Sequence, residues 1–187
     1  MYEKNSSNRH ETTGLNSALH EIIEISIIKV CPKHGMTNYT SKITPVHIQL
    51  ADARALEING YNAKDWKGAP DAEMVMSRVS EMISGCILVG HNVRFDEEFL
   101  SETLHRHGMR CRYDRRMIDT VTLALEHLHH LESVSMDSIR KYFGWKEGHR
   151  ARIDVLQTYV LYKRLNRATV FHRLFWRARY LLRSLFS

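Results

Sequence analysis

Three separate stretches of the sequence place acidic or imidazole side chains at the ends of predicted elements. Glu11 lies in a turn, Asp96 follows a short apolar strand, and His149 and Asp154 share a predicted helix. Carboxylate oxygens are the ligands that Mg²⁺ and Mn²⁺ prefer. An imidazole beside a water molecule can accept its proton as a general base. If folding brings them together, these residues could hold hard divalent cations and activate water.

Each of these residues also has an ordinary structural interpretation. An aspartate after a strand, such as Asp96, is often a helix N-cap, and a histidine near a helix start, such as His149, is often solvated or a cap. The Thr12–Gly14 run could be only a turn. His149 and Asp154 are five residues apart, which places them about 140° apart around one helix. That spacing fits a base and a ligand that approach a site from different directions.

Together, the three stretches resemble the sequence motifs of the DEDDh (DnaQ-like) 3′-to-5′ exonucleases, a family that includes the proofreading exonuclease subunits of bacterial replicative DNA polymerases. The matching segments are Glu11-Thr-Thr-Gly-Leu15, Gly90-His-Asn-x-x-Phe-Asp-x-x-Phe-Leu100 and His149-x-x-x-x-Asp154. Ile118-Asp-Thr120 is similar to the strand that the family has between its second and third motifs. The resemblance covers residues 9 to 165.

The resemblance implies hydrolysis of phosphodiester bonds with two divalent cations, Mg²⁺ or Mn²⁺, which neutralise charge on the entering and leaving oxygens. It assigns Glu11, Asp96 and Asp154 to the metals, and His149, together with Glu11, to catalysis. It also implies that a single-stranded 3′ end is bound by five further residues: Thr12, Thr13, Leu15, His91 and Asn92.

One residue departs from the family pattern. The family has an Asp two residues before the Glu of its first motif, and this chain has Arg9. A guanidinium there removes a carboxylate and adds a permanent positive charge beside the expected cations. Three explanations stay open: a reading-frame shift near the start of the gene, a fold that binds nucleic acid without cutting it, and replacement of the carboxylate by another acid such as Glu3.

The surrounding elements predict an α/β domain. Residues 21–30 read as a buried strand, 36–43 as its hairpin partner, and 86–89 as a second buried strand, with helices over 71–83, 97–107, 119–130, 135–143 and 149–166. Residues 1–10 are polar throughout and, taken alone, would be a disordered arm. We therefore expect a ribonuclease-H-like exonuclease fold, a mixed central sheet flanked by helices, with its first strand degraded or displaced.

Length and composition indicate one domain. With 187 residues, of which 43% are hydrophobic, the chain can build a single ordinary core. Cys31, Cys86 and Cys111 lack the paired spacing of a disulfide framework or zinc site, which favours a cytoplasmic protein. No apolar run approaches the roughly 20 residues that span a bilayer, and the polar N-terminus does not resemble a signal peptide.

The charge is concentrated at the C-terminal end. The net charge is +6, yet residues 155–187 contain seven basic residues and no acid, so the rest of the chain sums to −1. The basic residues are Lys163, Arg164, Arg167, Arg173, Arg177, Arg179 and Arg183. We therefore divide the chain into an exonuclease-like domain, residues 1–166, and a basic amphipathic helix, residues 167–187. This helix could pack on the domain, dock on a polymerase or other protein, or contact an anionic membrane.

The sequence thus predicts a metal-dependent exonuclease domain for 3′ ends of nucleic acid, with DNA the favoured substrate and with activity in doubt because of Arg9. The alternative is an inactive nucleic-acid-binding or polymerase-associated module of the same fold. Because the motifs act on the phosphate backbone, they do not separate DNA from RNA, or proofreading from repair.

Overall fold

A computed structural model of the chain describes residues 5–110, 112–146 and 151–167, with only the backbone described for residues 5–9. The predicted helix at 167–187 lies outside these residues apart from Arg167. Within the described part of the chain, no helix is both long and apolar enough to cross a membrane.

The centre of the fold is a five-stranded mixed sheet. Its strands are β1 (Asn5–Thr12), β2 (Ile22–Cys31), β3 (Gly35–Lys42), β4 (Ile87–Gly90) and β5 (Asp114–Asp119). They lie in the order β3-β2-β1-β4-β5. The β1–β2 and β2–β3 pairs are antiparallel, whereas β1–β4 and β4–β5 are parallel. The predicted α/β class with a mixed central sheet is confirmed.

The helices connect and cover the strands. They are α1 (Ala53–Ile58), α2 (Ala72–Ile83), α3 (Val93–Arg106), α4 (Thr120–His127) and α5 (Met136–Phe143), with a 3₁₀ turn at Ile48–Leu50. A last helix, α6, covers residues 151–167. Side chains at the N-caps accept backbone N–H groups: Asp52 in α1, Asp71 in α2, Asp119 in α4 and Ser135 in α5. These caps explain why the helices begin where they do.

Two apolar clusters hold the layers together. The larger lies between the sheet and the α2–α3 pair, and includes Ile25, Val79, Leu88 and Phe99. The smaller joins α4, α5 and α6 through five buried residues: Ala124, Leu128, Ile139, Leu161 and Leu165. Because α6 carries Asp154 of the third motif, this second cluster fixes the position of Asp154 relative to α4 and α5.

The expectation of a degraded or displaced first strand was wrong. Residues Asn5–Thr12 form the middle strand of the sheet, with Asn5–Ser7 paired to β4 and the whole strand paired to β2. Strand pairing uses backbone N–H and C=O groups, which polar residues also provide. The apolar neighbours β2 and β4 supply partners on both sides, so a polar segment that resembles a disordered arm becomes the central strand.

The other predicted elements agree with the described residues to within two residues, except at two boundaries. The predicted helix over 119–130 ends at His127. The predicted helix over 97–107 begins at Val93 instead. Asn92, just before it, has a left-handed backbone with φ 70° and provides no side-chain cap. Sequence patterns therefore missed the first turn of α3, which contains Asp96.

Candidate active site

The first motif is a turn held by its own two threonines. The Thr12 hydroxyl donates to the Gly14 carbonyl at 2.6 Å. Thr13 pairs with Glu21 in both directions: the Thr13 N–H donates to the Glu21 carbonyl at 2.9 Å, and the Glu21 N–H donates to the Thr13 hydroxyl at 2.8 Å. Leu15, at the tip, is 81% exposed. The turn thus presents an apolar side chain to solvent on a fixed backbone.

Helix α1 braces the same turn from outside the sheet. The backbone N–H of Asp52 donates to the Thr13 carbonyl at 2.8 Å. At the other end of α1, the Asn59 side-chain amide donates to the Thr12 carbonyl at 2.7 Å. Both carbonyls that follow Glu11 therefore have fixed partners, and the direction of the turn is set by α1.

The second motif is a loop locked by the end of β5. The Thr120 hydroxyl donates to the Gly90 carbonyl at 3.1 Å and lies 2.9 Å from His91 Nδ1. The Asp119 carboxylate accepts the backbone N–H of Asn92 at 3.0 Å. These contacts hold the left-handed conformation of Asn92, which few non-glycine residues adopt.

Asp96 lies inside the first turn of α3 and is 2% exposed. It is not the N-cap of α3, because that position belongs to Asn92. Its Oδ1 atom is 3.3 Å from Nδ1 of His10, a residue in the middle of β1. The His10 ring also stacks on Phe95, with ring centres 5.7 Å apart. The carboxylate of the second motif thus contacts an imidazole of the first strand.

Glu11 faces a second acidic residue across the sheet. In the β1–β2 register it lies opposite Glu24, and Arg9 lies opposite Ser26. A register shift follows directly, between Glu11 and Thr12, where the strand bends into the motif turn. Side chains alternate along a strand, so positions 9 and 11 share a face and position 10 belongs to the other.

Asp154, the acidic residue of the third motif, is buried on α6 and paired with Arg140 of α5. Arg140 Nη2 donates to Asp154 Oδ1. The expected general base, His149, lies outside the described residues. The third motif therefore contributes one observed carboxylate, and that carboxylate already contacts a guanidinium.

The described residues do not by themselves form a ready site for two divalent cations. Within residues 5–110, 112–146 and 151–167, no group of three or more His, Cys, Asp and Glu side chains could hold a metal ion. Asp96 contacts His10, Asp154 contacts Arg140, and Arg9 replaces the carboxylate that the family pattern requires. The predicted assignment of Glu11, Asp96 and Asp154 to cations therefore stays a prediction.

The pKa of Asp114 is lowered, and this residue lies at the opposite end of the β4–β5 pair from the candidate site. Asp114 pairs with Ile87 at the start of the pair, whereas Asp119 pairs with Gly90 at its end. The side-chain hydrogen bond from Arg116 lowers the pKa of Asp114 from 3.8 to about 2, and the backbone hydrogen bond from Arg116 adds to the effect. This carboxylate is part of the edge strand and not of the candidate site.

Several supporting residues were not assigned a role from the sequence. The Asp-Thr pair at 119–120 carried a signal, because it matches a family strand, but its contacts to the second motif need the folded chain. No sequence pattern indicated a role for His10, Glu24 or Arg140, because each contacts its partner only through sheet pairing or helix packing. Trp66 is buried, and its indole N–H donates to the Ile23 carbonyl at 2.8 Å, so it is a packing residue beside β2.

Comparison with solved structures shows the same fold in exonuclease I. The crystal structure of E. coli exonuclease I in complex with a dT13 oligonucleotide matches with a TM-score of 0.78 at 18% identity, covering 93% of this chain and 44% of that chain. The zinc-bound form of the E. coli exonuclease I–ssDNA complex matches with a TM-score of 0.74 at 20% identity, covering 92% of this chain and 44% of that chain.

Sequence comparison finds relatives among bacterial replication proteins. DNA polymerase III PolC-type from Caldanaerobacter subterraneus subsp. tengcongensis is 28% identical over 150 residues, covering 79% of this chain and 10% of that protein. The PolC-type protein of Thermotoga petrophila is 31% identical over 134 residues, covering 72% and 10%. This chain therefore spans about a tenth of the length of these curated relatives.

The family model RNase_T, described as Exonuclease, matches residues 10–162. The match begins one residue after Arg9 and includes the two described motifs, Asp154 and His149. The resemblance to DnaQ-like exonucleases is thereby confirmed at the level of the family. This chain belongs to the RNase_T exonuclease family.

Proposed function

We propose that this domain binds 3′ ends of single-stranded DNA and does not hydrolyse them in its present sequence. The observation that carries the proposal is the state of the acidic residues. Asp96 contacts the imidazole of His10, Asp154 contacts the guanidinium of Arg140, and Arg9 stands where the family has its first carboxylate. The residues that the resemblance assigns to end binding are all present in the sequence, whereas its cation site lacks one carboxylate, at Arg9.

End binding is supported by the construction of the two motif loops. Exposed Leu15, on a turn fixed by Thr12 and Thr13, is suited to contact a base. His91 and Asn92, held by the end of β5, are suited to contact the backbone of a strand. Ordered loops lose little conformational entropy on binding, which favours affinity.

DNA is the proposed substrate class because of the related proteins. The relatives are named DNA polymerase III PolC-type, and exonuclease I of the same fold was crystallised with DNA oligonucleotides. We propose a similar replication context for this chain, with residues 167–187 as the segment that contacts a polymerase or another protein.

The rival function is 3′-to-5′ hydrolysis dependent on Mg²⁺ or Mn²⁺, which family membership favours. If cations displaced His10 and Arg140 from the two aspartates, Glu11, Asp96 and Asp154 would be the residues that hold them and His149 the expected base. Both functions use the same fold and bind the 3′ end of a strand. They differ only in whether the phosphodiester bond is hydrolysed.

Binding and cleavage can be separated with the full chain. Fluorescence anisotropy of a labelled single-stranded oligonucleotide is measured with competing linear and circular single strands. End binding predicts that linear DNA competes better than circular DNA, and equal competition would contradict it. A 3′-labelled oligonucleotide is then incubated with millimolar Mg²⁺ or Mn²⁺. We expect no release above that of the Asp96→Asn variant purified in parallel, and faster release would establish the rival function.

A further inference from the structure

Arg140, on α5, donates to three side-chain acceptors, of which two lie on α6 and one on α5 itself. Its Nη2 group donates to Asp154 Oδ1, its Nη1 group to Asp137 Oδ1 at 2.6 Å, and its Nε to Gln157 Oε1 at 2.8 Å. Gln157 in turn donates to the Lys146 carbonyl at 3.0 Å, after the end of α5. The guanidinium therefore ties α5 to two positions, one turn apart, on α6.

Burial distinguishes the two carboxylates that Arg140 contacts. The side chains of Arg140 and Asp154 are 7% and 10% exposed, whereas the Asp137 side chain is 81% exposed. A buried charge is costly unless an opposite charge and hydrogen bonds compensate it. Asp137 can exchange its contact for water, but Asp154 and Arg140 neutralise each other out of solvent. The buried pair is therefore the part of the network that the fold depends on.

We infer that Arg140 is the built-in counter-ion of Asp154, so that this aspartate joins α5 to α6 and does not hold a divalent cation. The pair lies beside the apolar cluster of Ile139 and Leu161, which packs the same helices. Arg140 occupies Oδ1 of Asp154, so a divalent cation that used this oxygen would have to displace a guanidinium that makes two further hydrogen bonds. The inference rests on the proposed function, in that it explains why the third motif no longer contributes to a cation site.

Thermal unfolding of the full chain tests the pairing without nucleic acid. Arg140→Met and Asp154→Asn are each expected to lower the Tm by roughly 10 °C, because each leaves a buried charge or polar group without its partner. The double variant is expected to lose clearly less than the sum of the two single losses, as contacting partners do. If the Tm loss of the double variant equals the sum of the two single losses, the inference is overturned.

The metal response gives a second, independent readout. Millimolar Mn²⁺ and excess chelator are expected to leave the Tm of the unaltered chain the same. A rise in Tm with Mn²⁺ that disappears in Asp154→Asn would show that Asp154 holds a cation, and would overturn the inference. This result would not bear on end binding, which is measured separately, and a failure of end binding would leave the Tm coupling unchanged.

Arg164 provides a matched control. Its guanidinium lies 4.8 Å from the Phe143 ring centre and so also links α6 to α5, but through an aromatic contact. Arg164→Met should lower the Tm by less than Arg140→Met and show no coupling to Asp154→Asn. Should Arg140→Met fail to fold, Arg140→Gln, which removes the charge and keeps a hydrogen-bond donor, replaces it in the same cycle with Asp154→Asn. Additive Tm losses in that cycle would overturn the inference equally.

Discussion

The carboxylate of Asp119, at the end of β5, accepts the backbone N–H of Asn92 at 3.0 Å. Asn92 lies in the loop after β4, the neighbouring parallel strand. The same Oδ1 atom accepts the Val121 N–H at 2.8 Å and so caps α4. One carboxylate at the end of β5 therefore both starts a helix and fixes a left-handed residue in the loop after β4. The second motif depends on this contact for its shape.

Asp119→Ala should loosen that loop. We expect a loss of about 1–2 kcal/mol in the free energy of unfolding, from the missing cap and loop hydrogen bonds. Because the backbone of Asn92 is no longer held, the affinity for single-stranded DNA should fall as well. Denaturant unfolding and fluorescence anisotropy measure the two effects.

Asp71→Ala is the matched control for this change. Asp71 caps α2 by accepting the Met74 N–H at 2.8 Å. Asp71→Ala should lower the free energy of unfolding by a similar amount and leave the DNA affinity unchanged. An equal loss of affinity in both variants would mean that Asp119 acts only through general stability.

Gly90→Ala should be destabilising because the space at this glycine is filled. An added Cβ would lie 2.9 Å from the Val93 backbone and 3.0 Å from Asp96 Oδ2. Backbone atoms cannot rotate away, so we expect a loss of about 1–3 kcal/mol in the free energy of unfolding. Gly14→Ala is the comparison, since the atoms nearest to its Cβ belong to the His20 ring, a side chain that can move. Denaturant midpoints that rank Gly14→Ala as the worse variant would contradict this reasoning.

Leu15→Ala should weaken binding of a single-stranded 3′ end without altering stability. The side chain is almost fully exposed in the free protein, so its removal costs the fold little. Loss of its contact with a base should reduce affinity by roughly fivefold, which corresponds to about 1 kcal/mol. Leu125→Ala, at another exposed leucine, on α4, serves as the control in the anisotropy assay. If both variants bind equally well, Leu15 has no part in binding.

Arg9→Asp should introduce slow, cation-dependent release from a 3′-labelled oligonucleotide. The change removes the guanidinium and supplies the carboxylate of the family pattern, at a position that shares a face with Glu11. Release should stay slow because Asp154 remains paired with Arg140. Arg9→Ala removes the positive charge alone and should remain inactive. Equal activity in the two variants would show that the missing carboxylate is not the cause.

The pKa of Asp114 makes a prediction about pH. Arg116 stabilises the ionised carboxylate and lowers its pKa from 3.8 to about 2. A lowered folded-state pKa means that the stabilisation is complete above the unfolded-state value near 3.8, and is lost as the pH falls toward about 2. In NMR titrations, Arg116→Ala should raise the pKa of Asp114 part of the way toward 3.8, because the backbone N–H at position 116 still donates to the carboxylate, whereas the neighbouring Arg115→Ala should leave it unchanged. An unchanged pKa in Arg116→Ala would rule out this cause.

The sequence by itself determined the family and most of the elements. Apolar β-branched runs predicted β2 and β4, the cap residues Asp71 and Ser135 predicted α2 and α5, and motif spacing predicted the exonuclease family. These signals are local, because a strand pattern, a cap or a motif is complete within a few residues. They also identified Arg9 as a departure from the family pattern.

Only the tertiary structure decided what surrounds the motif residues. The polar segment Asn5–Thr12 is the central strand because β2 and β4 provide backbone partners on both sides. His10 meets Asp96 and Arg140 meets Asp154 over sequence separations of 86 and 14 residues, through sheet pairing and helix packing. Such contacts leave no periodic or local signal. The identity of the fold could therefore be read from the chain, whereas the pairing of its acidic residues required the folded structure.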